Sequence, residues 1–371
     1  VRIAGIGAVT AYGWGRENLW KGLLSGESAV HRHSGFGPEL GGSAWVARIP
    51  EGGSPEDGPS RFSRAMRFAA REAIDDAKDR GWKPGARVGF IHAVVLGEVD
   101  LWRDFYLSHE GSRPVRGYLA LMPSTPVSTL MQEFGFHGPA MNVSAMCASG
   151  NAALLTARAW LEAGLVTDVV VVATDVSCTP ENVRHFRDLG VAVTDLPPDE
   201  ACRPFQEGSH GFLMGEASVG YVLTPETPDP YLRLLGGVMS HDAHHVTSVD
   251  PALGQVRASF EQALRNAGVK AEDVAYLNAH GPGTAQCDRA EATMLDELLT
   301  EAEVYSIKPL AGHCQAAASA VEVAATALAY QDGVILAPAQ VAPGHARRSG
   351  PTVKSSLGMG GHNAVIVLDE P

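Results

Sequence analysis

No run of 18 apolar residues occurs anywhere in the 371-residue sequence, so no segment is long enough to cross a bilayer as a helix. Basic charge is scarce: 29 lysines and arginines face 42 aspartates and glutamates, a formal net charge of −13. That balance excludes a nucleic-acid binder, whose affinity depends on a basic surface. It also works against an acidic partner unless basic residues gather locally. Cysteine is sparse as well. The five, Cys147, Cys178, Cys202, Cys287 and Cys314, are odd in number and lack close spacing. Such a set suits free thiols in a reducing cytosol, not a disulfide frame or a zinc site. Tight ligand pairs are missing too: "HDAHH" (241–245) comes nearest, without a second cluster, so no metal is expected. The opening "VRIAGIGAVTAYG" is apolar but short, without the basic lead and cleavage site of a signal peptide.

What is present is a well-cored α/β pattern. Apolar residues make up 45% of the chain, 41 glycines supply tight turns, and β-branched runs alternate with helical stretches. The order of pieces repeats. "VRIAGIGAVT" answers "YLRLLGGVMS" (231–240), and "RVGFIHAVVLGE" (87–98) answers "VAYLNAHGPGT" (274–284). "MNVSAMCASGNAALLTARAWLEAG" (141–164) is echoed by 304–333, and "TDVVVVATDV" (167–176) by "GHNAVIVLDE" (361–370). The chain therefore reads as two duplicated α/β halves, 1–229 and 230–371, joined near "TPETPDP" (224–230).

The repeat places reactive side chains in related turns. Strand-to-helix turns of the two halves carry Cys147 and His313, and a strand-end turn after "VAYLNA" carries His280. Ligand sites of layered α/β proteins form outside the carboxyl ends of strands. Cys147 precedes the small-residue run "ASGNAALL", which lets a substrate approach, and a helix N-terminus there favours thiolate. The other four cysteines lack that setting and are expected to pack.

These motifs resemble the β-ketoacyl synthases of the thiolase fold, over essentially the whole chain. The likeness rests on "GIGAVTAYGWGRENLWKGLLSGESAV", the cysteine turn, "RPFQEGSHGFLMGEAS", "DAHHVTS", "YLNAHGPGTAQCDRAEA", "KPLAGHCQAAASAVE" and "SSLGMGGHNAVIVL", in that order. The resemblance implies a layered α-β-α-β-α fold and a decarboxylative Claisen condensation. Thiolases use a second cysteine as base and initiating synthases carry His and Asn; the Cys-His-His set resembles the elongating type. Cys147 is then the acyl-accepting nucleophile, and His280 and His313 assist malonyl decarboxylation. Lys308 and Glu322 match a supporting ion pair. The backbone N–H groups of Cys147 and Met359 match an oxyanion hole. Thr284 matches a pantetheine-binding threonine, and Phe186 matches either a pocket-side aromatic or an ordinary core residue. No cofactor is implied. The implied partners are an acyl carrier protein bearing acyl and malonyl groups and a second, identical or related, subunit.

Several positions depart from the family's pattern. Pro282 stands where a threonine is usual, Leu357 and Met359 where phenylalanines are usual, Ser209 and His210 where Arg-Asp is common, and Pro309 where serine is frequent. Met359 falls at the gate of the acyl pocket. Such changes suit specialised, polyketide-like metabolism. Two rival readings stay open: an acyltransferase that does not decarboxylate, and a chain-length-factor-like partner, although the latter generally lacks the nucleophile. "RFSRAMRFAAREA" (61–73) offers Arg64 and Arg67 on one helical face, either to dock the carrier protein or to pair with Glu72, Asp75 and Asp76.

Overall fold

A computed structural model describes residues 1–107, 115–335 and 345–371. Ten strands form its main sheet path. The first five are β1 (Arg2–Thr10), β2 (Val88–Ala93), β3 (Ala140–Val143), β4 (Asp168–Asp175) and β5 (Ala217–Thr224). The rest are β6 (Leu232–His241), β7 (Tyr276–Asn278), β8 (Glu303–Tyr305), β9 (Thr352–Gly358) and β10 (His362–Asp369). In space they run β3-β2-β4-β5-β1 and then β6-β10-β9-β7-β8, so each set of five has the order 3-2-4-5-1. In both sets the second, third and fourth strands are parallel, and the fifth is antiparallel to both neighbours. Among the described residues the sets pair with each other only where Arg2 and Ile3 meet Arg233 and Leu232.

The duplication expected from the motifs is present, with one correction. Residues 167–176 correspond to 352–358, because β4 and β9 are the fourth strands of their sets; 361–370 carries the fifth strand, β10. "TVKSSLG" hides this equivalence, since a lysine and three hydroxyls break the apolar pattern of a buried strand. Every one of its seven residues is nonetheless buried.

Helices complete five layers. α1 (Arg61–Asp79) packs on the outer face of β1, β4 and β5. α2 (Ser149–Glu162) and α5 (Ala318–Asp332) touch each other and lie between the two sheets. α3 (Gly254–Ala267) covers β6 and β10 and contacts α4 (Ala285–Glu297) on the far side. The sequence of α5, "ASAVEVAATALAYQD", is small and apolar all round, as a helix enclosed on every side must be. The outer α1 is instead amphipathic, and Ser60 and Ser63 close a capping box at its start. Its close seat on the sheet requires glycine beneath: a Cβ on Gly5 would stand 2.2 Å from the carbonyl oxygen of Ala73, and one on Gly7 would stand 2.1 Å from that of Ala69.

Candidate active site

The turn from β3 into α2 presents Cys147. Met146, just before it, has φ +50°, a left-handed conformation unusual for a residue with a side chain. Local bonds hold that turn. Ser149 Oγ accepts from the N–H of Ala145 at 2.9 Å and donates to the carbonyl of Met146 at 2.6 Å. Ser356 on β9 donates to the carbonyl of Cys147 at 2.9 Å, tying the turn to the other half of the chain. One residue into α2, a Cβ on Gly150 would lie 2.5 Å from Ser319 Oγ, so glycine lets the two central helices cross beside the thiol.

His280 comes to the same place from the carboxyl-end turn of β7, and His313 from the connection between β8 and α5, just after the short helix Lys308–Ala311. One donor atom from each of Cys147, His280 and His313 lies within 4.8 Å of the others, and all three residues are buried. The imidazole rings stand edge to face, with centroids 5.4 Å apart.

Burial pushes the pKa of Cys147 up to about 11, against the pull of the Met359 N–H and the Lys308 ammonium. The resting group is therefore a thiol. Burial and the nearby Lys308 charge hold both histidines well below the ordinary imidazole range, so both rings are neutral at physiological pH. Their tautomers follow from their neighbours. His313 Nδ1 accepts the N–H of Gln315 at 3.1 Å, and His280 Nδ1 faces the Lys308 ammonium at 3.3 Å. An ammonium has only protons to offer, so each ring carries its own proton on Nε2. The pair presents two N–H donors and no free lone pair, a donor set suited to an oxyanion and not to a metal ion.

Beneath the rings lies a fully buried charge network. Glu322 on α5 accepts a hydrogen bond from Lys308 at one oxygen and forms an ion pair with Lys354 through the other, at 2.8 Å. Lys308 also bonds the backbone carbonyl of His280. Glu291 on α4 accepts the N–H groups of His280 at 2.7 Å and Gly281 at 2.8 Å. Two lysines and two glutamates thus fix the loop bearing His280. Lys308 and Glu322 are the ion pair expected from the motifs, whereas Lys354 and Glu291 are members of the network that the motifs do not reveal. A lysine amid the strand-length "TVKSSLG" is the signal that could have revealed the first.

A cavity of about 420 Å³ opens over these groups, lined also by Phe186, Thr284 and Met359. Phe186 packs edge-on to Phe212 at 6.1 Å, against a small apolar cluster, and also lines the cavity. Ser209 donates to the carbonyl of Gly283 at 2.7 Å and so braces the loop in which Pro282 replaces the usual threonine. Cys287, expected only to pack, lines the same cavity. Met359 also borders a second, more open hollow of about 510 Å³ with Met146, His241 and His362, so this residue is common to the walls of both spaces.

Arg64 and Arg67 lie outside both linings. Arg64 pairs with Glu51 at 3.5 Å, and Arg67 pairs with Glu133 at 2.9 Å and Asp57 at 3.6 Å. Their charge is neutralised within the chain, as the pairing alternative had it, though by different carboxylates. Glu72 and Asp76 turn inward to Arg16, while the exposed Asp75 pairs with Lys78.

A buried thiol facing two N–H donors thus lies where the two halves of a duplicated α/β fold meet, the setting of an acyl-transferring enzyme. Residues 52–228 match the "Beta-ketoacyl synthase, N-terminal domain" and residues 231–342 match the "Beta-ketoacyl synthase, C-terminal domain". The chain belongs to the beta-ketoacyl synthase family. It is 30% identical to a putative polyketide beta-ketoacyl synthase 1 of Streptomyces halstedii, over 90% of this chain and 86% of that protein. Over 99% of this chain and all of the relative, it is 27% identical to 3-oxoacyl-[acyl-carrier-protein] synthase 2 of Staphylococcus aureus. Among solved structures it superimposes on a chain of a type II polyketide ketosynthase complex with its acyl-carrier protein. That match has a TM-score of 0.86 at 22% identity and covers 100% of this chain and 99% of the other. A ketosynthase with its chain length factor from Xenorhabdus doucetiae gives 0.85 at 22% identity, covering 100% and 98%. These likenesses establish the shared fold.

Proposed function

We propose that the chain is an elongating ketosynthase in which Cys147, His280 and His313 carry the chemistry, across halves formed by residues 1–229 and 230–371. The observation that supports this most is the pair of Nε2–H donors facing a buried thiol. In the first step Cys147 Sγ attacks the carbonyl of an acyl thioester, and its proton leaves with the departing pantetheine thiol. Backbone N–H groups of Cys147 and Met359 hold the oxyanion; both act on the sulfur so as to lower its pKa. In the second step a malonyl thioester loses carbon dioxide. The electron pair of the broken C–C bond becomes an enolate, whose oxygen His280 and His313 stabilise. The enolate carbon then attacks the acyl-cysteine carbonyl and expels the Cys147 thiolate, which takes a proton from water.

The division of labour is testable. Replacing either histidine with alanine lowers carbon dioxide release from a malonyl thioester by about 10²–10³, the usual cost of one oxyanion donor, while acyl loading of Cys147 persists. Mass measurement of loading beside a carbon dioxide assay checks both. Retained decarboxylation contradicts the roles given to the histidines; loss of loading alone favours an acyltransferase without decarboxylation. A chain-length-factor-like role has no use for the complete constellation found here.

Acyl and malonyl groups arrive on an acyl carrier protein, the partner named for the structural neighbour above. Association with a like or related subunit is supported by β3, an edge strand with Met141 40% exposed immediately ahead of the cysteine turn. Five free cysteines, four of them buried, suit a reducing cytosol. Met359 acts as the gate. Exchanging this flexible thioether for a rigid ring, Met359→Phe, shifts the preferred acyl length; an unchanged donor profile removes Met359 from that role.

A further inference from the structure

Gln315 follows His313 by two residues, in the turn Gln315–Ala317, and lines the catalytic cavity. Its φ of +43° is left-handed, a strain that persists only where the surroundings demand it and that gathers at functional sites. Two contacts impose it. The Gln315 N–H caps His313 Nδ1 at 3.1 Å, and Asp175 accepts the N–H of Ala316 at 3.4 Å from behind. The side chain is only 6% exposed, and its Nε2 has no hydrogen-bond partner. An amide buried in this way is costly unless a ligand completes it.

Both thioester carbonyl oxygens of the reaction are already served. The acyl-cysteine carbonyl meets backbone N–H groups, and the malonyl thioester oxygen meets the two imidazoles. The Gln315 amide is left over, in a wall shared with the apolar rings of Phe186 and Phe212. Gln315 shares the cavity wall with Cys147 and His313, which puts this residue on the side of the thioester end of the bound chain.

We propose that Gln315 determines acyl specificity: its side-chain amide donates to an oxygen carried near the thioester end of the acyl chain on Cys147. The cavity then favours 3-oxo or 3-hydroxyacyl donors over saturated chains of equal length. This inference rests on the condensing reading above. A saturated chain leaves the amide buried and unpaired, which disfavours it roughly tenfold to a hundredfold.

The test loads the full-length protein with hexanoyl and 3-oxohexanoyl thioesters of N-acetylcysteamine and follows mass addition at Cys147. The expected ratio of loading rates favours the 3-oxo donor by about tenfold or more. Gln315→Leu lowers that ratio towards the intrinsic reactivity ratio of the two thioesters and speeds hexanoyl loading. Gln315→Asn, which tolerates the left-handed backbone and keeps an amide, retains part of the preference. The inference is overturned if both variants keep the wild-type ratio, or if the only change is in malonyl decarboxylation. Failure of either donor to load Cys147 overturns the condensing reading and this inference with it, an outcome distinct from loading at an unaltered ratio.

Discussion

Cys147→Ala abolishes acyl loading and lowers condensation on the order of 10⁶-fold, the scale of loss when an enzyme's nucleophile is deleted. The fold survives, because a small side chain replaces a small one at a turn held by Ser149 and Ser356 rather than by the thiol. The decisive comparison is with Cys287, the other thiol in the cavity. Burial pushes its pKa up to about 12, against a hydrogen bond with Thr284 and with Glu291 and Asp288 adding to the rise. Cys147 by contrast has the Met359 N–H and the Lys308 charge working to lower its pKa. Mass addition at Cys287 in the alanine variant, or condensation close to the native rate, contradicts the assignment.

Glu322→Gln has the largest expected effect on stability. It leaves Lys308 and Lys354, both fully buried, without the carboxylate that binds them together. Burial already lowers the pKa of Lys354 against the pull of Glu322, so removing the carboxylate lowers it further. Breaking a buried pair in this way typically costs about 3–5 kcal/mol. Denaturant unfolding should show that loss, and Lys354→Met, which leaves Glu322 paired with Lys308, should cost less. Near-native stability of Glu322→Gln would show that the network is not held by its central carboxylate.

The repeat was legible because glycine-rich first strands and reactive turns recur in order along the chain. The fourth-strand equivalence was not, because β9 is buried through hydroxyls and a lysine whose partners come from distant parts of the chain: Tyr330 for Thr352, Cys147 for Ser356 and Glu322 for Lys354. Cys147, His280 and His313 could be picked out because each follows a strand-like run. Their tautomers could not, since these depend on Lys308 and on the strained turn at Gln315. The arginine row on α1 was legible as a row, but its spacing left docking and pairing both open, because the carboxylates that pair with it, Glu51, Asp57 and Glu133, come from segments outside the helix.

The central claim is that one protein first takes an acyl group on Cys147 and then spends it in a carbon–carbon bond that forms as carbon dioxide leaves. A single-turnover experiment tests this most directly. The protein is loaded from an acyl thioester, freed of excess donor, and mixed with malonyl-acyl carrier protein, while the mass of the Cys147 peptide and carbon dioxide release are followed together. The account predicts one acyl group lost from Cys147 for each 3-oxoacyl product formed, with at least one carbon dioxide released alongside. Release of the acyl group to the carrier unchanged, without carbon dioxide, would contradict it.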